Sequence, residues 1–119
     1  MTTPNISFKY TDTEVTHELQ NLLTHKLESI YKYLEEPTLI EVEFRKEAPK
    51  HNGAVFVVEV NCTVKGELFR ATATEESFEK AIDVVRNELD KELRRSRKKR
   101  NNLFIKGARR IKEMVRWGS

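Results

Sequence analysis

Residues 74–100, TEESFEKAIDVVRNELDKELRRSRKKR, read as one long helix that changes character along its length. Phe78, Ala81, Ile82, Val85, Leu89 and Leu93 recur at intervals of three and four, which puts them on one helical face. Thr74 is expected to cap the N-terminus, with Glu75 and Glu76 where the helix dipole favours negative charge. After Leu93 the stripe stops, and Ser96 and Arg100 take the next positions on that face. A helix of roughly 26 residues is about 39 Å long, so its last two turns are expected to project past the core. Those turns carry Arg94, Arg95, Arg97, Lys98, Lys99 and Arg100. Seven bases between Lys91 and Arg100 exceed what a helix C-terminus needs to offset its dipole. They point to a polyanion.

The segments upstream supply the partner for that stripe. Ile6, Phe8 and Tyr10 alternate with Ser7 and Lys9, a short half-buried strand. Thr16 is expected to cap a first helix whose broad apolar face is Leu19, Leu22, Leu23, Leu27, Ile30 and Leu34. Lys26, Ser29 and Lys32 fall away from that face, and Pro37 stops the helix. Ile40, Val42 and Phe44 alternate with Glu41, Glu43 and Arg45 in a second strand, and residues 46–53 make a loop. Ala54–Val64 is the longest strand, with Phe56, Val58, Val60, Cys62 and Val64 on one face and Val55, Val57, Glu59, Asn61 and Thr63 on the other. Lys65-Gly66 reads as a two-residue hairpin turn, and Glu67–Ala73 returns as the fourth strand. The order β-α-β-β-β-α predicts an α+β fold: a four-stranded mixed sheet with both helices on one face, an architecture shared with double-stranded RNA-binding domains.

The chain of 119 residues has room for one domain and a short tail: an α+β domain over 1–100 and a basic amphipathic tail over 101–119. Charged residues make up 34% and mean hydropathy is −0.65, and no apolar run reaches membrane-spanning length. The first residues lack a basic start and an apolar segment, so no signal peptide is expected. One cysteine cannot build a disulfide framework and suits a reducing cytoplasm. The net charge of +3 conceals a division. Residues 94–116 hold eleven bases against Glu113, a net of +10, and residues 1–93 hold the other eleven bases and eighteen acids, a net of −7. Such asymmetry orients a protein on a charged partner.

The segment from Gly66 onward is similar to the signature of the ribosome hibernation-promoting factors, also called ribosome-associated inhibitor A or ribosomal subunit interface proteins. The matching features are Gly66, the small pair Ala71 and Ala73, Glu75-Glu76, Phe78, Ala81-Ile82-Asp83 and the run from Arg94 to Arg100. Val15-Thr16, Leu27, Ile30, Lys32 and Tyr33 match the first helix. This resemblance implies a protein that binds the small ribosomal subunit where mRNA and tRNA anticodons lie, through rRNA phosphates, and that silences translation under stress. Carried over, the contacts are Lys26 and Lys32 on the first helix and Lys91, Arg95, Lys98 and Lys99 on the second. Glu88 and Ser29 stand where the family commonly has lysine. The chain is expected to be a short form, without the dimerisation domain of longer members and monomeric when free.

In the tail, Phe104, Ile105, Ala108, Ile111, Met114, Val115 and Trp117 interleave with basic residues, as in a short amphipathic helix. It either returns to the domain or offers further RNA contacts through Lys106, Arg109, Arg110 and Lys112. Cys62 sits in an apolar alternation and reads as a core side chain. His17, His25 and His51 share no ligand spacing with it. No catalytic pair or phosphate-binding glycine loop is present, so no enzyme, cofactor, metal or small-molecule substrate is expected. Two other functions fit the same residues: a stand-alone double-stranded RNA binder, and a self-associating module in which the basic run only solubilises.

Overall fold

The computed structural model describes residues 4–48 and 53–117, with the side chains of 4–48 and 53–100. Its elements follow the expected order: β1 (Asn5–Thr11), α1 (His17–Leu27), a 3-10 helix (Glu28–Tyr33), β2 (Thr38–Lys46), β3 (Phe56–Val64), β4 (Glu67–Glu75) and α2 (Phe78–Trp117). The sheet order is β1-β2-β3-β4. β1 and β2 run parallel, with Phe8 opposite Val42, because the connection through α1 is a crossover. The other two pairs are antiparallel.

Register decides which side chains meet the helices. Ile40, Cys62 and Phe69 share a row, as do Val42, Val60 and Ala71, and Phe44, Val58 and Ala73. All nine are buried against Leu23 and Leu27 of α1, Ile30, and the α2 stripe Phe78, Ala81, Ile82, Val85, Leu89 and Leu93. Phe44 is the aromatic hub, stacked on Phe8 and Tyr10 with centroids 6.4 and 5.9 Å away, and edge-on to Phe78 at 5.3 Å. Small Ala71 and Ala73 let α2 lie close on β3 and β4. The hairpin turn places both Lys65 (φ 49°) and Gly66 (φ 83°) in the left-handed region, as a type I′ turn requires.

Three local expectations are corrected. Thr74 does not cap α2. Its strand continues, with Thr74 opposite Val57 and Glu75 opposite Phe56, because ladder pairing outweighs a capping preference. Ser77 caps instead, its hydroxyl accepting from the Lys80 N–H at 3.2 Å. The first helix is correctly capped by Thr16, which accepts from the Leu19 N–H at 3.2 Å, but it tightens to a 3-10 helix after Leu27 and leaves helical geometry at Leu34 (φ −86°, ψ 138°). At three residues per turn Leu27, Ile30 and Tyr33 fall in line, so the apolar face is kept with Leu34 outside the helix.

Val57 lies on the uncovered sheet face yet is buried at 1% exposure. Its ladder neighbour Arg45 is held low by Glu43 and Glu47 at 2.9 and 3.4 Å. Finally, the tail is not a separate helix. α2 runs 40 residues to Trp117, about 60 Å, since the stretch after Leu93 is rich in strong helix formers and holds no proline, which outweighs the single Gly107. The expected loop over 46–53 lies partly outside the described residues.

Candidate nucleic-acid interface

The helix layer covers one sheet face, so the outer side of α2 is the free surface on which its bases fall. Val84, Glu88, Lys91, Arg95 and Lys98 follow one another at intervals of four, three, four and three, a single row along the outside of the helix. Val84 is 36% exposed, and the other four are exposed. The row begins acidic, at Glu88, and becomes basic from Lys91. Among the described residues Lys91 and Lys98 make no ion pair, and neither does exposed Lys99. Arg95 only approaches Glu92, at 3.8 Å. Cations with so little internal compensation are available to an external anion.

A second row, Asp83, Arg86, Asp90, Arg94 and Arg97, runs along the flank of α2 that meets α1 and the 3-10 helix. Here the charges other than Arg86 have partners among the described residues. Lys26 of α1 lies 3.2 Å from Asp83, an ion pair that falls short of hydrogen-bond geometry. Arg94 lies 3.9 Å from Asp90. Arg97 donates to the Lys32 carbonyl at 3.1 Å, and its guanidinium sits 6.0 Å from the Tyr33 ring centroid. Lys32 Nζ occupies the same ring at 5.2 Å, so Tyr33 is flanked by two cations, a favourable arrangement for an aromatic quadrupole.

The structure thus separates the sequence-selected bases into two groups. Lys91, Arg95, Lys98 and Lys99 are exposed and largely free, with Arg94 exposed beside them. Lys26 and Arg97 tie the two helices together. Lys32 is exposed at the mouth of that tie, and Arg100 is half-buried there. Glu35 feels this cluster. A hydrogen bond from Lys65, the charge of Lys65 and, more weakly, Arg100 and Arg97 hold its carboxyl below the usual range. The tail bases Lys106, Arg109, Arg110 and Lys112 lie on the helical continuation of α2, with side chains outside those described. Arg86 carries no signal in the sequence, because a lone arginine between Val85 and Asn87 reads as an ordinary surface charge until the flank it occupies is known.

The uncovered sheet face has the opposite character. A recess of about 250 Å³ there is lined by Ser7, Lys9, Glu41, Glu43, Glu59 and Asn61, among others. The Thr11 hydroxyl and Arg45 hold the Glu43 carboxyl below its ordinary range against some desolvation. Carboxylates therefore collect on one broad side and free cations on the other. Such a molecule meets a polyanion helix side first. Cys62 is buried, and burial pushes its thiol up to about 11, which keeps it protonated and a poor nucleophile. Among the described residues no three metal-ligating side chains gather.

Comparison with known proteins bears on the family and the fold. Residues 6–101 match the family described as sigma 54 modulation protein / S30EA ribosomal protein. Among solved structures, a ribosomal subunit interface protein from Coxiella burnetii is similar with a TM-score of 0.64 at 19% identity, covering 77% of this chain and 96% of that one. The N-terminal domain of Protein Y from Thermus thermophilus is similar with a TM-score of 0.63 at 20% identity, covering 76% and 97%. At these identities the likeness is one of fold. No curated protein sequence matches the chain significantly.

Proposed function

The chain belongs to the sigma 54 modulation protein / S30EA ribosomal protein family, and from that premise we propose that it is a hibernation factor of the cytoplasmic ribosome that binds the small subunit through rRNA in the decoding channel. The observation that carries the reading is the row Lys91, Arg95 and Lys98, exposed on the outer side of a long helix whose inner side is committed to the core from Phe78 to Leu93. Bound there, the protein competes with mRNA and tRNA for the same phosphates, so inhibition is steric and needs no catalytic group. Affinity comes from helix-borne cations. Specificity comes from the folded shape of rRNA rather than base reading. Arg94 and Lys99 flank the row and extend it, and Lys32 and Arg100 add charge at the end of the helix seam.

Binding to purified small subunits tests this directly. If about five cations each neutralise a phosphate, log affinity falls against log salt with a slope of about −3.5 to −4.5. A slope near zero would remove the electrostatic premise. A plain RNA duplex is expected to compete poorly, and competition equal to that of the subunit would favour a general double-stranded RNA binder instead.

The tail has its own test. Residues 1–100 act as the folding unit in this reading, and Lys106, Arg109, Arg110 and Lys112 continue the cationic rod as further RNA contacts. Truncation after Asn101 is therefore expected to leave a cooperative melt near that of the full chain while lowering the salt slope. Loss of cooperative melting would make the tail part of the core.

A further inference from the structure

The row of α2 that faces α1 is pinned at both ends: Asp83 by Lys26 at 3.2 Å, and Arg97 by the Lys32 carbonyl at 3.1 Å. Between the pins, Arg94 approaches Asp90 at 3.9 Å. Arg86 sits between Asp83 and Asp90 on the same flank and has neither an ion pair nor a hydrogen bond among the described residues. Its side chain is half-buried, and Nε is shut off from solvent without a hydrogen-bond partner. A guanidinium stays charged at any physiological pH, and a buried donor with no acceptor is costly. A fold gains nothing in stability from such a group. Four cations on this flank, Lys26, Arg86, Arg94 and Arg97, face two carboxylates, Asp83 and Asp90; Arg97 has the Lys32 carbonyl, and Arg86 is left without a partner among the described residues.

We propose that Arg86 is a phosphate seat in the seam between α1 and α2, taking an RNA phosphodiester that runs along the groove beside the exposed row of α2; this rests on the ribosomal RNA reading above. The seam suits the task. Its two pins fix the helices on either side of Arg86, so the seam itself need not be ordered on binding. Guanidinium geometry matches a phosphate with two parallel hydrogen bonds. Lys26 lies at the same seam and, while paired with Asp83 at 3.2 Å, adds positive charge there without leaving its place.

Full-length Arg86→Met and Arg86→Lys, with purified small ribosomal subunits as the probe, test the seat. Methionine keeps much of the apolar stem and removes the charge. Arg86→Met is expected to weaken binding roughly tenfold and to reduce the magnitude of the salt slope by about 0.7 to 0.9, with a melting temperature equal to or above the parent's. Arg86→Lys is expected to recover the slope and part of the affinity, having the charge without the fork. Unchanged affinity, or weaker binding at the parent's slope, would overturn the seat, the second because it marks a packing role. The Lys91, Arg95 and Lys98 triple reversal, measured alongside, keeps the two ideas apart. If only Arg86→Met is silent, the seat falls alone. If both variants bind like the parent, the ribosomal reading of α2 falls with it.

Discussion

Replacing Lys91, Arg95 and Lys98 together with glutamate is expected to abolish inhibition of in-vitro translation while leaving the fold intact. All three are exposed, and among the described residues the only ion pair any of them makes is the long Arg95–Glu92 approach at 3.8 Å. Exposed substitutions of this kind cost under about 0.5 kcal/mol each, so the circular dichroism and melting curve should hardly move. Binding responds differently, because three attractions become three repulsions along one row about 10 Å long. With each phosphate contact contributing near one counterion to the salt slope, the reversal removes most of the five-contact slope and lowers affinity by at least about a hundredfold. Glu88 lies one step before Lys91 in the same row, so Glu88→Lys is expected to act in the opposite sense and tighten binding. A triple variant that still inhibits translation at the parent's concentration would show that this face does not meet the ribosome.

The second large effect lies in the core. Phe44→Ala is expected to destabilise the domain by about 3–5 kcal/mol, the usual range for truncating a buried phenylalanine. That is a large part of the roughly 5–15 kcal/mol that holds a domain of this size folded. The reason is its position: fully buried, it joins β1 through Phe8 and Tyr10 to α2 through Phe78. Its loss leaves the parallel edge strand and the start of α2 without their shared filler. Leu68→Ala is the matched control, since Leu68 is 53% exposed on the uncovered face and should shift stability by no more than about 0.5 kcal/mol. Urea midpoints of the two variants decide the matter. Equal costs would mean that the core does not lie where the register puts it.

Much of this protein is legible in one dimension. Alternation at Ile40, Val42 and Phe44, and three-four recurrence from Phe78 to Leu93, name the buried faces because burial there depends only on the local period of strand and helix. The crossover rule then orders the sheet, and the charge division between residues 1–93 and 94–116 marks the cationic end of the chain. What the tertiary structure alone decided is wherever one segment's choice depends on another far away. Pairing with Val57 and Phe56 holds Thr74 and Glu75 in β4 and moves the cap to Ser77. The same dependence divides the cations. Lys91 and Lys98 stay free because nothing packs over the outer side of α2. Lys26 is taken by Asp83 and Arg97 by the Lys32 carbonyl 65 residues away, and Arg86 is stranded between them. Those assignments follow from how two helices lie against each other on one sheet, and no local pattern of residues encodes that contact.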